Sequence, residues 1–239
     1  MRSLFISDIH LHETRPQITR AFFAFLHSLQ DVEALYILGD FFDAWIGDDD
    51  DTPLNAEVAA ELHQLSQRGC QIFLMHGNRD FLLGEAFAAK AGATLLAESL
   101  VIDLYGQPTL LLHGDELCTG DRDYIAFRNQ VRSPQWQAQI LAQPLAARRL
   151  LAAQLREKSQ AMNSLKAEDI LDVTQDEVIR VMQSAGVTRL IHGHTHRPAR
   201  HALEIEGKTA ERIVLGDWHV QDWALAVSDK ELNLIHWAI

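Results

Sequence analysis

Only two cysteines, Cys70 and Cys118, occur among 239 residues, and neither belongs to a C-x-x-C pair. That scarcity argues against a disulfide scaffold and a thiolate zinc site, leaving reduced thiols of a cytosolic protein as the expectation. Positive charge is also short: 21 Lys and Arg face 33 Asp and Glu, for a formal net charge of −12. Bulk attraction to nucleic acid is therefore not expected. No uncharged apolar run approaches the ~18 residues that a spanning helix needs. The opening stretch MRSLFISDIH reaches an aspartate before any apolar segment long enough for export, so no targeting signal is expected.

What is present is an α/β alternation, with an apolar content of 47% that suffices for a core. Residues 4–6, 34–38, 71–75 and 189–191 read as short buried strands, and 101–105 with 109–112 as a hairpin across residues 106–108. Helices are predicted after Pro16, from Thr52–Pro53 to Arg68, over 81–90, and behind a capping box of Thr174 and Glu177 up to Gly186. Further strands are expected at 201–206, 211–215, 223–228 and 232–236. Residues 121–167 contain no strand pattern and read as short helices. The acidic run Asp48, Asp49, Asp50, Asp51 reads as a solvated loop.

Polar clusters fall just past predicted strands, where α/β folds present ligands and catalysts. Asp8 and His10 are two apart after the first strand, and His194 and His196 repeat the spacing near the other end of the chain. In extended backbone such pairs point the same way. Asp40 after Gly39 offers a carboxylate able to bridge two ions, Asn78 after Gly77 an amide oxygen, and His113 another imidazole. Seven oxygen and nitrogen donors without thiolate suit a dinuclear site of borderline metals such as manganese, iron or zinc. One arrangement puts Asp8, His10 and His196 on one ion, Asn78, His113 and His194 on the other, and Asp40 between; spacing leaves open which histidine joins which ion. Such a pair of ions activates water against phosphate esters or anhydrides.

The ordered set DIHLH, GDFFDAW, GNRDF, HGD and GHTHRP resembles the calcineurin-like metallophosphoesterases. The resemblance implies an α/β fold of two packed mixed sheets flanked by helices, over one domain spanning 1–239. Many members carry Asn-His in the third motif, whereas Arg79 stands here. Arginine is no general acid near neutral pH, but its five donors can clamp phosphate oxygens. That suits an anhydride, whose phosphate leaving group hardly needs a proton. The longer stretches ALYILGDFFDAWIGDDD, HGNRDFLLG, HGDELCTGDRDYIAFR and IHGHTHRPA resemble the pyrophosphatase family that cleaves UDP-2,3-diacylglucosamine in lipid A biosynthesis. From this resemblance follow Mn²⁺ as cofactor, UMP and 2,3-diacylglucosamine 1-phosphate as products, and water attack at the α-phosphorus. It further implies a cytoplasmic location with peripheral attachment to the inner membrane; no obligate protein partner is implied. Asn78, Arg79 and His194 would contact substrate beside the metals, with Asp40, Asn78, Arg79 and His113 as the catalytic set. Asp121, Tyr124, Ser159, Asn163 and Lys166 would hold the glucosamine and phosphate groups, in or beside a helical lid over 122–166.

That lid segment has a charge of its own. It holds eight Lys or Arg against two acidic residues, a local net charge of +6, which leaves −18 on the rest of the chain. Arginines 148, 149 and 156 interleave with leucines, the pattern of a helix lying in an anionic interface. Two rivals remain: another phosphoesterase of this scaffold acting on a soluble nucleotide or phosphoprotein, and a non-enzymatic metal-stabilised scaffold. The second would be expected to lose ligands, and all seven are present.

Overall fold

In the computed structural model, residues 1–163 and 172–238 are described, the side chains of 158–163 excepted. Strands β1 (Arg2–Ile6), β2 (Val32–Leu38) and β3 (Gln71–Met75) lie parallel, each apolar on both faces because each is covered on both faces. Alternate residues divide the work. Leu4, Ile6, Leu35 and Ile37 pack under α1 (Pro16–Ser28), α2 (Pro53–Gln67) and α3 (Glu85–Ala91), while Phe5 and Leu38 face the second sheet. A short β4 (Ala93–Leu95) completes one edge by pairing with β3.

The second sheet contains β5 (Ser99–Leu104), β6 (Gln107–Leu112), β7 (Arg189–His192), β8 (Ala199–Ile205) and β9 (Lys208–Val214), in the order β5-β6-β7-β9-β8. The chain then returns to the first sheet as β10 (Gln221–Val227) and β11 (Leu232–Ala238), giving the order β11-β10-β1-β2-β3-β4. Both sheets are mixed. Leu111, Ile191, Ile213, Leu215 and Leu225 fill the layer between them, and α7 (Gln175–Ala185) covers the outer face of the second sheet through Val178 and Met182. Between β6 and α7 the chain leaves this sandwich as α4 (Arg122–Val131), α5 (Pro134–Leu141) and α6 (Leu145–Asn163). No described helix is long and apolar enough to cross a membrane.

Several expectations need correcting. The β5–β6 turn is Tyr105–Gly106, with φ of 55° and 84°, and Pro108 sits inside β6 opposite Asp103, before pairing with β7 begins. Such a two-residue turn with positive φ matches the twist of a hairpin. Helix α3 starts four residues later than predicted, and the edge strand β4 has too few residues for a periodic pattern. The capping box at α7 is not made: Thr174 accepts from the Thr119 hydroxyl at 2.8 Å and caps no backbone amide. The acidic run is solvated only in part: Asp49 and Asp51 are exposed, but three of its four carboxylates have partners. Asp48 accepts from the Trp45 indole at 3.0 Å and from the Gly84 and Phe87 amides at 2.8 and 3.0 Å, so it caps α3 in place of the side chain that Gly84 lacks. Asp49 and Asp50 pair with Arg148 and Arg149 of α6.

Candidate metal centre and adjoining cavity

The C-terminal ends of β1, β2, β3, β6 and β7 lie side by side, and the seven predicted donors emerge from them. The backbone there is not extended. Asp8, His10, Asp40, His194 and His196 adopt left-handed conformations, with φ between 49° and 69°. Asp and His tolerate that region better than most residues, yet each such position stores strain that the surroundings must hold. Alternation of left-handed residues, rather than a strand's pleat, turns the pair Asp8 and His10 inward, and likewise His194 and His196.

The surroundings are specific. The Ser7 hydroxyl and the His194 amide donate to Asp8 Oδ2 at 2.5 and 2.9 Å. Asp80 accepts from the Phe41 and Gly77 amides at 2.7 Å each, clamping the loops that carry Asp40 and Asn78. Phe41, Phe42 and Trp45 bury themselves against the helix-side core and so anchor the loop after Asp40. Backbones touch where the two loops meet: a Cβ on Gly77 would lie 2.1 Å from the Asp40 nitrogen. Only glycine fits.

All seven donors converge. His196 Nε2 lies 3.4 Å from Asp8 Oδ1 and 3.3 Å from His10 Nε2. Asp40 directs Oδ2 toward His10 Nδ1 at 3.8 Å and Oδ1 toward His113 Nε2 at 3.7 Å. The Asn78 carbonyl oxygen is flanked by His113 Nε2 at 3.0 Å and His194 Nδ1 at 2.9 Å. Asp8, His10 and His196 form one group with ligand atoms within 4.8 Å of one another, and Asp8, Asp40 and His113 form a second. Asp8 Oδ1 and His10 Nδ1 are buried without a hydrogen-bond partner, a costly state that a cation would relieve. The donor chemistry and these orphaned atoms fit two divalent ions.

Charge crowding gives the same picture. Burial, with Asp80 and Asp8 nearby, pushes Asp40 up to about 7 although His113 and Arg79 oppose it. Burial works against His113⁺, but Asp40, Asp8 and Asp115 outweigh it and raise that imidazole to about 9. Burial pushes His194 down to about 4, helped by His113, and holds His10 well below its usual value. Asp8 is disfavoured as an anion by burial, yet His196, His113 and His10 keep its carboxyl well below the ordinary range.

Beside these donors, α4 to α6 roof a cavity of about 470 Å³, lined by Trp45, Phe81, Trp136 and Leu155 and reaching Asn78, Arg79 and Tyr124. The Tyr124 ring stacks on His194 with centroids 6.2 Å apart, and its hydroxyl donates to Asp115 at 2.6 Å. Asp121 is buried and accepts from the Tyr124 amide at 3.1 Å, starting α4. Ser159 and Asn163 fall in α6 with side chains outside the described set, and Lys166 lies outside the described residues.

The roof's arginines are the main surprise. Arg148 is buried, donating to the Ile46 carbonyl at 2.6 Å and pairing with Asp49, while Arg156 pairs with Asp43. Arg128 and Arg132 reach Glu98 at 2.8 and 3.0 Å. These side chains bind the acidic body rather than pointing out toward a surface. Asp43, Asp80 and Asp115 stand within the motifs, but their roles are not legible in the sequence, because nothing in an aspartate says which amides or guanidiniums it will meet.

Residues 1–198 match the family model of the calcineurin-like phosphoesterases. The chain is 68% identical over its whole length, and the relative's, to a protein of Cellvibrio japonicus named UDP-2,3-diacylglucosamine hydrolase. A protein of the same name from Marinobacter nauticus is 55% identical over 97% of this chain and 95% of its own. Among solved structures, an archaeal phosphodiesterase superposes with a TM-score of 0.52 at 14% identity, covering both chains fully, a likeness of fold alone. Fold, donor cluster and relatives agree: the chain belongs to the calcineurin-like phosphoesterase family, within the group whose members carry the name UDP-2,3-diacylglucosamine hydrolase.

Proposed function

We propose that the protein hydrolyses the pyrophosphate bond of UDP-2,3-diacylglucosamine, with water attacking the α-phosphorus to give UMP and 2,3-diacylglucosamine 1-phosphate. The observation that carries this is the apolar cavity under α4 to α6, which opens directly onto Asn78 and Arg79 at the edge of the donor cluster. A soluble nucleotide needs no such chamber; an acylated one does. The names of the relatives support the same substrate.

Asp8, His10 and His196 would hold one divalent ion, Asn78, His113 and His194 the other, with Asp40 between them and Mn²⁺ the first candidate. When bound, such ions supply Lewis-acid activation of water and neutralise charge on the phosphoryl oxygens. Arg79, its guanidinium on the cavity wall, clamps the phosphate oxygens as charge develops. Tyr124, which lines the same cavity and stacks on His194, faces the sugar together with Asp121 at the start of α4. Ser159, Asn163 and Lys166 complete the sugar and phosphate contacts in this reading. The leaving group is itself a phosphate, so no general acid is required of the chain. Peripheral attachment to the cytoplasmic face of the inner membrane fits a diacyl substrate, and among the described residues of the helical cover the exposed Leu141 and Leu150 offer apolar side chains for it.

Turnover of UDP-2,3-diacylglucosamine in ¹⁸O-water by the manganese-loaded protein tests the proposal. Label is expected in UMP. Label in the sugar phosphate would overturn attack at the α-phosphorus, and faster hydrolysis of soluble nucleotides than of the lipid would overturn the substrate.

A further inference from the structure

Asp43 lies three residues after Asp40, is 4% exposed, and takes no part in the donor cluster. Three guanidiniums surround it. Its Oδ1 accepts from Arg15 Nη2 at 2.9 Å and lies 3.7 Å from Arg79 Nη1; its Oδ2 pairs with Arg156 of α6. Each arginine comes from a different part of the machinery. The same Arg15 nitrogen donates to the His10 carbonyl at 2.6 Å, which ties Asp43 to the loop of the first two donors. Arg79 is the phosphate-clamping residue proposed above, and Arg156 belongs to the cavity's cover.

Arg79 is held without being saturated. Its Nε is 3.7 Å from Asp40 Oδ2 and its Nη1 is 3.7 Å from Asp43. Both contacts are longer than a hydrogen bond, and among the described residues its guanidinium makes none. A guanidinium between two carboxylates would ordinarily collapse onto one of them as a bidentate pair. With Arg15 hydrogen-bonded to one oxygen of Asp43 and the Arg156 charge paired against the other, Arg79 has no open edge of the carboxylate to close on.

We propose that Asp43 is a positioning residue that couples the helical cover to Arg79. When Arg156 docks on Asp43, the carboxylate is occupied, and Arg79 stays oriented by two distant charges with its donors turned to the cavity for a phosphate. When the cover lifts, Arg156 leaves, Oδ2 becomes free, and Arg79 can close onto Asp43 and withdraw from the site. Phosphate binding and closure of the cover are then one equilibrium. This rests on the phosphate role given to Arg79 in the proposed function, but not on the identity of the lipid.

The test is the affinity of the manganese-loaded full chain for inorganic phosphate, measured by calorimetry for wild type, Asp43→Asn, Asp43→Glu, Arg156→Gln and the double variant Asp43→Asn with Arg156→Gln, alongside metal content and melting temperature. The sign is decisive. A carboxylate that merely sat near the site would repel phosphate, so its neutralisation would tighten binding. A positioning carboxylate predicts weakening by about tenfold in Asp43→Asn, partial recovery in Asp43→Glu, and a loss in the double variant of about the same tenfold rather than a product of the single losses. Amide exchange in α6 should quicken in Asp43→Asn with metal content unchanged. Tighter or unchanged phosphate binding in Asp43→Asn, or multiplicative losses, would overturn the coupling. Should Asp43→Asn fail to fold, Arg156→Gln carries the test, because α6 amides that exchange at the wild-type rate in it would also overturn the coupling. Wild-type protein that binds no phosphate would instead sink the role assigned to Arg79, and hydrolysis of the lipid substrate reports separately on the functional reading.

Discussion

Asp40 sends one carboxylate oxygen toward His10 and the other toward His113, the disposition of a bridging ligand. Asp80 holds the Phe41 and Gly77 amides, and of the neighbouring loop the Asp40 side chain itself holds the Arg79 amide, at 2.8 Å. Asp40→Ala is therefore expected to abolish most activity and lower metal content while leaving the circular dichroism spectrum unchanged; wild-type turnover in the metal-loaded variant would end the bridging assignment. Metal binding should also be linked to protons. In the metal-free protein His113 keeps its proton up to about 9 and Asp40 up to about 7, whereas as ligands both are deprotonated. Affinity should thus rise with pH through the interval from 7 to 9 and fall off below it, with protons released on binding. Titrations in buffers of differing ionisation enthalpy measure that release directly. For Arg79, replacement by alanine should cost about 2–4 kcal/mol of transition-state stabilisation, the scale of a lost oxyanion donor. Lysine should recover only part, since a point charge does not reproduce the fork. The ratio of kcat/KM values across the three proteins gives both numbers.

At the scale of elements, α3 shows how a loop and a helix can depend on each other. Asp48 accepts from two amides at the α3 start and from the Trp45 indole, so one carboxylate fixes a helix terminus and the aromatic wall of the cavity together. Asp48→Ala should destabilise the protein by about 1–2 kcal/mol, the usual value of an N-cap, which for a chain of this size is a fall of a few degrees in Tm. Substrate affinity should fall with it, because Trp45 loses its anchor. Calorimetry alongside KM would separate the two effects. The helical cover is fastened the same way. Arg148 reaches the Ile46 carbonyl and Asp49, Arg149 reaches Asp50, and Arg156 reaches Asp43. An amphipathic basic helix was legible in the sequence. Its partners were not, because charge reads the same whether it faces a membrane or an acidic loop a hundred residues away.

For the whole molecule, charge is segregated: +6 on residues 122–166 against −18 elsewhere. In three dimensions much of that opposition is internal, since the cover closes on the body through ion pairs above an apolar chamber. A membrane contact would therefore fall to exposed apolar side chains more than to arginines. Leu141→Asp with Leu150→Asp should weaken co-sedimentation with vesicles by several-fold while sparing hydrolysis of a short-chain soluble substrate; equal sedimentation of variant and wild type would remove the cover from any membrane role. The amino-acid sequence by itself determined the alternation of strands and helices, the family and the seven candidate donors, because each follows from local pattern: buried apolar runs ending at Gly-Asp, Gly-Asn and Gly-His. The tertiary structure decided how those donors turn inward, through left-handed backbone at Asp8, His10, Asp40, His194 and His196, which one-dimensional spacing mistakes for an extended chain. It also decided that Asp48 caps a helix and that Asp49 and Asp50 fasten the cover, and that Asp43 gathers Arg15, Arg79 and Arg156. The reason is physical. A pattern of apolar residues reports which face is buried, but a buried carboxylate is defined by the partners that long-range folding brings to it, and those lie far away along the chain.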